Sequence, residues 1–162
     1  MKTLLLMRHA KSSWKDISLP DHQRPLNKRG QQDAPRMGKF LQAQGLALDA
    51  ILCSTAVRAR QTAEGFLQRY TFEGEVQYFD DLYGADPETI IALLKQLPES
   101  IEAVMVIGHN PGLDDFLEIV CDECGHMPTA CLVHITYPIE RWSDLHPATR
   151  GEVVHFWTPR DI

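Results

Sequence analysis

Short apolar runs alternate with amphipathic stretches along the whole chain, the sequence mark of an α/β fold. Thr3 to Met7 reads as a buried strand, Ala50 to Cys53 as a short second one, and Glu75 to Phe79 as a third. The unbroken run Ala-Val-Met-Val-Ile at Ala103 to Ile107 predicts a strand covered on both faces. Cys131 to Tyr137 and Glu152 to Trp157 complete the strands. Between them, Asn27 can cap a helix over Lys28 to Gln44 that Gly45 stops. Its apolar positions Met37, Phe40 and Leu41 share one face. A second helix is predicted from Ala56 to about Arg69. Asp86 and Pro87 stand as cap and first residue of a third helix running to about Leu97. Pro111 opens a fourth that continues to about Val120. The pattern predicts a three-layer α/β fold. Its open sheet is mainly parallel, with five or six strands and helices on both faces, and the last strand or two run antiparallel.

Composition narrows this reading. The chain has 162 residues, 44% hydrophobic and 23% charged, and neither a repeat nor a long linker divides it. Residues 1–162 are expected to form a single domain, since domains cluster at roughly 100–150 residues. The net charge of −6 argues against a protein that grips nucleic acid broadly. The apolar run behind Lys2 ends at Arg8 and His9, short of the roughly 7–15 apolar residues of a secretory segment. No stretch approaches the roughly 20 apolar residues of a membrane span. Four cysteines (Cys53, Cys121, Cys124, Cys131) in such a chain are expected as reduced thiols, and the protein is expected in the cytoplasm. Cys121-x-x-Cys124 with His126 and Cys131 resembles a zinc cluster, but its spacing is not that of a settled four-ligand site. No metal and no cofactor are assigned.

Candidate chemistry gathers at strand ends, where open α/β sheets bind their ligands. The first strand runs into Arg8-His9-Ala10-Lys11-Ser12, the second into Ser54-Thr55-Ala56-Val57-Arg58, and the fourth into Gly108-His109-Asn110-Pro111-Gly112. Two histidines and an arginine thus converge on one edge. A neutral imidazole is a nucleophile able to carry a phosphoryl group, and arginine forks neutralise phosphoryl oxygens. The helix start at Pro111-Gly112 is expected to add a positive dipole end and backbone N–H groups. Arg60, two positions beyond Arg58, is expected to face away. Trp14 is expected either in the core or as the floor of a partner groove.

These motifs resemble a known family. Leu6-Met7-Arg8-His9-Ala10-Lys11-Ser12 is similar to the Arg-His-Gly signature of the histidine phosphatase superfamily, which has the phosphoglycerate mutase-like fold. Ser54 to Ala63 resembles its second signature and Val106 to Pro111 its third, while Arg24-Pro25-Leu26-Asn27-Lys28-Arg29-Gly30 fits its first helix start. The resemblance covers residues 3 to about 120 and is strongest to the SixA-type phosphohistidine phosphatases, which are short and lack a substrate lid. It implies His9 as nucleophile, Arg8 and Arg58 as phosphate ligands and His109 as the second histidine, with Lys11, Ser12 and Asn110 as substrate-binding residues. Ala10 stands where the family has glycine. No glutamate matches the general acid of mutase-like members; Asp80 and Asp81 are the nearest carboxyl groups and the candidates for that role.

The missing acid points to a substrate. An alkyl phosphate gains about 10²–10⁴-fold from a positioned proton donor, whereas phosphohistidine can leave as imidazole protonated from water. The implied partner is a phosphohistidine-bearing protein such as a phosphotransfer domain, with no nucleic acid and no membrane, and a monomer as the default. Two alternatives keep the fold: a small-molecule phosphomonoesterase or mutase, and a non-catalytic phosphoprotein-binding module. A cysteine-dependent phosphatase is disfavoured, because Arg58 and Arg60 stand five and seven positions after Cys53, a spacing that does not wrap a cysteine-centred phosphate loop.

Overall fold

In the computed structural model, which describes residues 1–121 and 125–162, β1 (Lys2–Arg8) lies inside a six-stranded sheet. The other strands are β2 (Ala50–Ser54), β3 (Gln77–Phe79), β4 (Ala103–Gly108), β5 (Leu132–Tyr137) and β6 (Glu152–Trp157). Their order is β3-β2-β4-β1-β5-β6. The first four are mutually parallel, β5 is antiparallel to β1, and β6 is antiparallel to β5. The connections are α1 (Lys28–Gln44), α2 (Val57–Leu67), α3 (Pro87–Lys95) and α4 (Gly112–Val120).

Strand alternation splits the core in two. Leu4, Leu6, Val104 and Val106 face α3 and α4, against Ile90, Leu94, Phe116 and Leu117. Leu5, Met7, Met105 and Ile107 face α1 and α2, against Met37, Leu41, Ala63 and Phe66. β1 and β4 are therefore apolar at every interior position. They need to be, because both of their faces are covered.

The predicted termini of α1 hold. Asn27 Oδ1 accepts from the Gly30 N–H at 2.9 Å, and Gly45 takes φ 72° beyond the last turn. Gly30 has a second function: a Cβ there would stand 2.2 Å from the Lys11 carbonyl oxygen. Only a bare Cα lets the loop after β1 lie on α1, where the Asn27 N–H donates to that same carbonyl at 2.9 Å. α2 is shorter than its pattern, β3 begins two residues later than predicted, and α4 starts one residue after Pro111. Three short 3-10 segments, Asp21–Gln23, Asp80–Leu82 and Trp142–Asp144, were not predicted.

The cysteines divide. Cys53 and Cys131 are free and buried, with thiols pushed up by burial, but Cys121 is disulfide-bonded, which corrects the expectation of four reduced thiols. Cys124 lies outside the described residues. His126 is bonded to Asp114, with Nδ1 to Oδ2 at 2.7 Å. Among the described residues no group of three or more metal-ligating side chains is assembled, and no helix is long and apolar enough to cross a membrane.

Candidate active site

The carboxyl ends of β1, β2 and β4 meet where Arg8, His9, Ser54 and His109 emerge. Arg8 pairs with Gly108 at the last rung of the β1–β4 ladder. The His9 N–H extends that ladder to the Gly108 carbonyl at 3.0 Å. His9 and His109 therefore occupy matching positions one residue beyond the sheet, with ring centroids 5.0 Å apart. The next residue, Ala10, is fully buried. Its N–H donates to Thr62 Oγ1 at 2.9 Å, and that hydroxyl donates to the Arg58 carbonyl at 2.7 Å. Thr62 thus ties the His9 loop to the first turns of α2, which carry Arg58. From the other side, the Ala130 N–H donates to the carbonyls of Arg8 and His9, with Ala130 itself at φ 62°.

A cavity of about 200 Å³ opens above His9, lined among others by Arg8, Lys11, Ser12, Arg58, His109 and Asn110. His9 is only 6% exposed. Its Nδ1 lies 2.7 Å from the Ala10 carbonyl oxygen, which can only accept, so Nδ1 carries the proton and Nε2 presents a lone pair. Burial lowers the His9 pKa to about 4, helped by Arg58, Arg8 and Arg24 and opposed by the bond to Ala10. The ring is neutral at physiological pH, as a nucleophile requires. His109 is lowered further, to about 3, by burial and by His9 and Arg58.

His109 Nε2 lies 2.8 Å from Ser54 Oγ, and Ser54 is completely buried. That oxygen already accepts from the Ala56 N–H at 3.2 Å. Among the described residues its own proton has no acceptor other than Nε2, and donation there satisfies it. The proton of the neutral His109 ring then sits on Nδ1, a buried atom with no hydrogen-bond partner in the protein. The His109 ring therefore carries one donor that the protein leaves unspent, on a ring 5.0 Å from that of His9.

Asp21 is the residue whose role the sequence did not show. Arg58 Nη1 donates to its carbonyl at 2.7 Å and Nη2 to Oδ2 at 2.9 Å. The Tyr83 hydroxyl donates to Oδ2 at 2.6 Å, and Arg24 Nε to Oδ1 at 3.1 Å. These donors, Tyr83 foremost, hold the carboxyl far below the usual carboxylate range. Asp21 is thus an ionised clamp between two guanidinium groups. Its partners lie 37 and 62 residues away along the chain, and it sits on an aperiodic 3-10 turn. The only local signal was Arg24 three positions on.

The remaining candidates fall into place as follows. Lys11 lines the cavity and is exposed, and Ser12 lines it with Oγ accepting from Arg24 Nη1 at 2.9 Å. Asn110 lines it too, but its amide is spent on structure: Nδ2 donates to the Met127 carbonyl and Oδ1 accepts from the Asp114 N–H. Arg8 Nη1 donates to the same Met127 carbonyl at 3.1 Å, while Nε has no partner. Asp80 and Asp81 are exposed and outside the cavity lining. Asp80 accepts from Thr55 Oγ1 at 2.6 Å, and Thr55 in turn accepts from His22 Nε2 at 3.0 Å, so Asp80 braces the wall instead of facing the pocket. Arg60 faces away, over the Tyr78 ring at 4.0 Å. Three of the N–H donors at the start of α4 are already used: those of Leu113, Asp114 and Asp115 go to His109 O, Asn110 Oδ1 and Pro111 O. Trp14 is 67% exposed rather than in the core, and stacks over the Arg24 guanidinium at 3.5 Å.

A doubly wound sheet with two neutral histidines and converging guanidinium groups at its carboxyl edge is an α/β protein of the phosphoryl-transfer class. The chain belongs to the histidine phosphatase superfamily (branch 1), whose family model matches residues 4–86. An uncharacterised protein of Mycobacterium tuberculosis is 42% identical over 165 residues, spanning 95% of this chain and all of that protein. A solved structure from Nakamurella multipartitia, provisionally assigned as the phosphohistidine phosphatase SixA, superposes with a TM-score of 0.85 at 29% identity, covering 98% of this chain and 96% of that one. The fold is also that of the protein histidine phosphatase SixA complexed with tungstate (TM-score 0.82, 22% identity, 98% and 97% coverage). The mainly parallel architecture and the SixA-type resemblance expected from the motifs are both borne out. Family and neighbours together support a phosphatase.

Proposed function

We infer that the protein hydrolyses phosphohistidine on a partner protein, with His9 as covalent nucleophile. One observation carries this reading: a neutral His9 presents Nε2 to a small basic cavity in which no lining residue, among those described, is a carboxylic acid. Nε2 attacks phosphorus, the P–N bond to the substrate imidazole breaks, and that imidazole takes its proton from water. The Nδ1–H bond to the Ala10 carbonyl supports the positive charge His9 acquires. Arg58 and Arg8 neutralise the equatorial oxygens, and His109 Nδ1–H donates to one of them. Water then cleaves the new P–N bond on His9, releasing phosphate and restoring the neutral ring. The cationic side chains supply the charge that a metal ion supplies elsewhere, so the reading is metal-independent. The reading is of a cytoplasmic enzyme, since phosphorelay proteins are its expected substrates.

Asp21 does not supply the missing acid. It touches Arg58, but three donors to its carboxylate, from Arg24, Arg58 and Tyr83, keep it ionised. An alkyl ester would therefore have to expel its alkoxide without protein help. The test is phosphate release in excess EDTA from a histidine-phosphorylated protein and from a simple alkyl phosphomonoester, side by side. Preference for the phosphoprotein, together with a trapped phosphoenzyme that His9→Ala abolishes, is expected. Preference for the ester would overturn the reading and favour a metabolite phosphatase. Binding of the phosphoprotein without turnover would leave a binding module.

A further inference from the structure

Exposed apolar side chains are few on this molecule, and they are unevenly placed. Among the described residues, the large ones are Met1 and Ile162 at the chain ends, Val154 on the edge strand β6, and Trp14, Ile17 and Tyr83. The last three belong to the mouth of the cavity or to the loop that forms its rim. Trp14 lines the cavity. Tyr83 reaches it through Asp21 and stands edge-on to His109 at 5.5 Å. Ile17, three residues on from Trp14 in the same loop, is 94% exposed.

That loop is pre-organised. The Lys15 N–H donates to Ser13 Oγ, and both the N–H and the hydroxyl of Ser18 donate to Asp16 Oδ1, at 3.0 and 2.6 Å. Trp14 is clamped on Arg24, which is itself bonded to Ser12, Ser13 and Asp21. A surface held in shape before binding loses little entropy when it is covered. It also belongs to a locally basic stretch of an acidic protein: residues 8–24 carry Arg8, Lys11, Lys15 and Arg24 against Asp16 and Asp21, in a chain of net charge −6.

We propose that the Trp14–Ile17 loop, with Lys15, is the docking surface for the substrate protein, and that it takes an apolar patch flanked by acidic side chains beside the phosphorylated histidine. This rests on the phosphohistidine reading above. A small metabolite confined to a cavity of about 200 Å³ has no use for Ile17, which lies outside its lining. A protein surface lowered onto the mouth covers Ile17 and pairs with Lys15. Apolar anchors inside a charged rim fix affinity, and the rim charges steer encounter.

The test compares Ile17→Asp and Lys15→Glu with the parent protein. The substrates are a histidine-phosphorylated phosphotransfer domain and inorganic phosphoramidate, which has the same P–N bond without a protein. Both side chains are exposed and outside the cavity lining, so neither change threatens folding or phosphoramidate turnover. Each variant is expected to lower kcat/KM for the phosphoprotein about tenfold through KM and to leave phosphoramidate hydrolysis unchanged. Unchanged phosphoprotein kinetics in both variants, or equal losses on both substrates, would overturn the docking surface while leaving the reaction intact. A parent protein that cleaves phosphoramidate but not the phosphoprotein would overturn the phosphohistidine reading itself, and the proposed occupant with it.

Discussion

Ser54→Ala isolates the consequence of a single buried hydroxyl. In the parent protein Ser54 Oγ accepts from the Ala56 N–H and donates to His109 Nε2 at 2.8 Å, which keeps the His109 proton on Nδ1. Alanine removes both bonds and fills nearly the same space. The orphaned Ala56 N–H costs about 1–2 kcal/mol of folding stability, the usual penalty for an unsatisfied buried group. The catalytic effect is separate. Without the hydroxyl, the His109 proton is free to move to Nε2, and Nδ1 then turns a lone pair toward the phosphoryl oxygens. Losing a neutral hydrogen bond of about 1–1.5 kcal/mol corresponds to about tenfold in kcat. Losing the donor altogether, as in His109→Ala, is expected to cost about 10²–10³-fold. The assay is kcat on phosphoramidate for Ser54→Ala, His109→Ala and the double variant, with ring ¹⁵N shifts reporting the tautomer. Because Ser54 acts only through His109, the double variant should be no slower than His109→Ala alone. Additive losses in the cycle, or an unchanged tautomer with reduced kcat, would refute the reasoning.

Other outcomes follow from the same geometry. Asp21→Ala should release Arg58 and Arg24 from their shared carboxylate. Since that carboxylate is half exposed, stability should fall by less than about 1 kcal/mol, while kcat falls about tenfold as the guanidinium groups lose orientation. Full kcat in a destabilised variant would give Asp21 a purely structural role. His9 and His109 have folded pKa values near 4 and 3 against 6.5 when unfolded, so below pH 6.5 the unfolded chain binds protons that the folded chain refuses. Their contribution is complete above that pH and is lost as pH falls toward 4, about 3 kcal/mol for His9 alone. Denaturant midpoints measured between pH 7 and 4 should decline accordingly, and a flat profile would contradict the buried neutral rings. Gly30→Ala places a methyl 2.2 Å from a backbone oxygen and should displace the loop that carries Lys11 and Ser12. Loss of phosphoramidate turnover together with a lowered Tm is expected, and parent-like values for both would show that the contact yields.

The main lines of the fold were legible because strands buried on both faces leave unbroken apolar runs, as in Leu4 to Met7 and Val104 to Ile107. The caps of α1 and α3 were legible because Asn27 and Asp86 act within three residues of themselves. Arg8, His9, Arg58 and His109 were legible because strand ends and a helix start place them together whatever the loops do. The wall of the pocket was not. Asp21 meets Tyr83, and Thr55 meets His22 and Asp80, across long separations from 3-10 turns and connections, where no periodicity marks a facing side. Ser54 stands in the second signature motif, yet its bond to His109 depends on a parallel pairing that the chain does not spell out. The start of α4 offers fewer donors than its sequence suggests, because the N–H groups of Leu113, Asp114 and Asp115 are consumed locally by His109, Asn110 and Pro111.

The 5.0 Å between the His9 and His109 rings is close to the roughly 4.8 Å repeat between neighbouring strands. The two residues continue adjoining parallel strands at the same register, so the gap between nucleophile and donor is set by main-chain pairing in the middle of the sheet. Loop sequence can change around this pair, and with it the choice of substrate, without altering the distance across which a phosphoryl group is held. On heating, the pair should survive every local opening of the rim and come apart only when the central strands do. Recognition of a protein substrate should then fade first, with the exposed Trp14–Ile17 loop, before the wall that orients Arg58 gives way and before the His9–His109 pair itself separates.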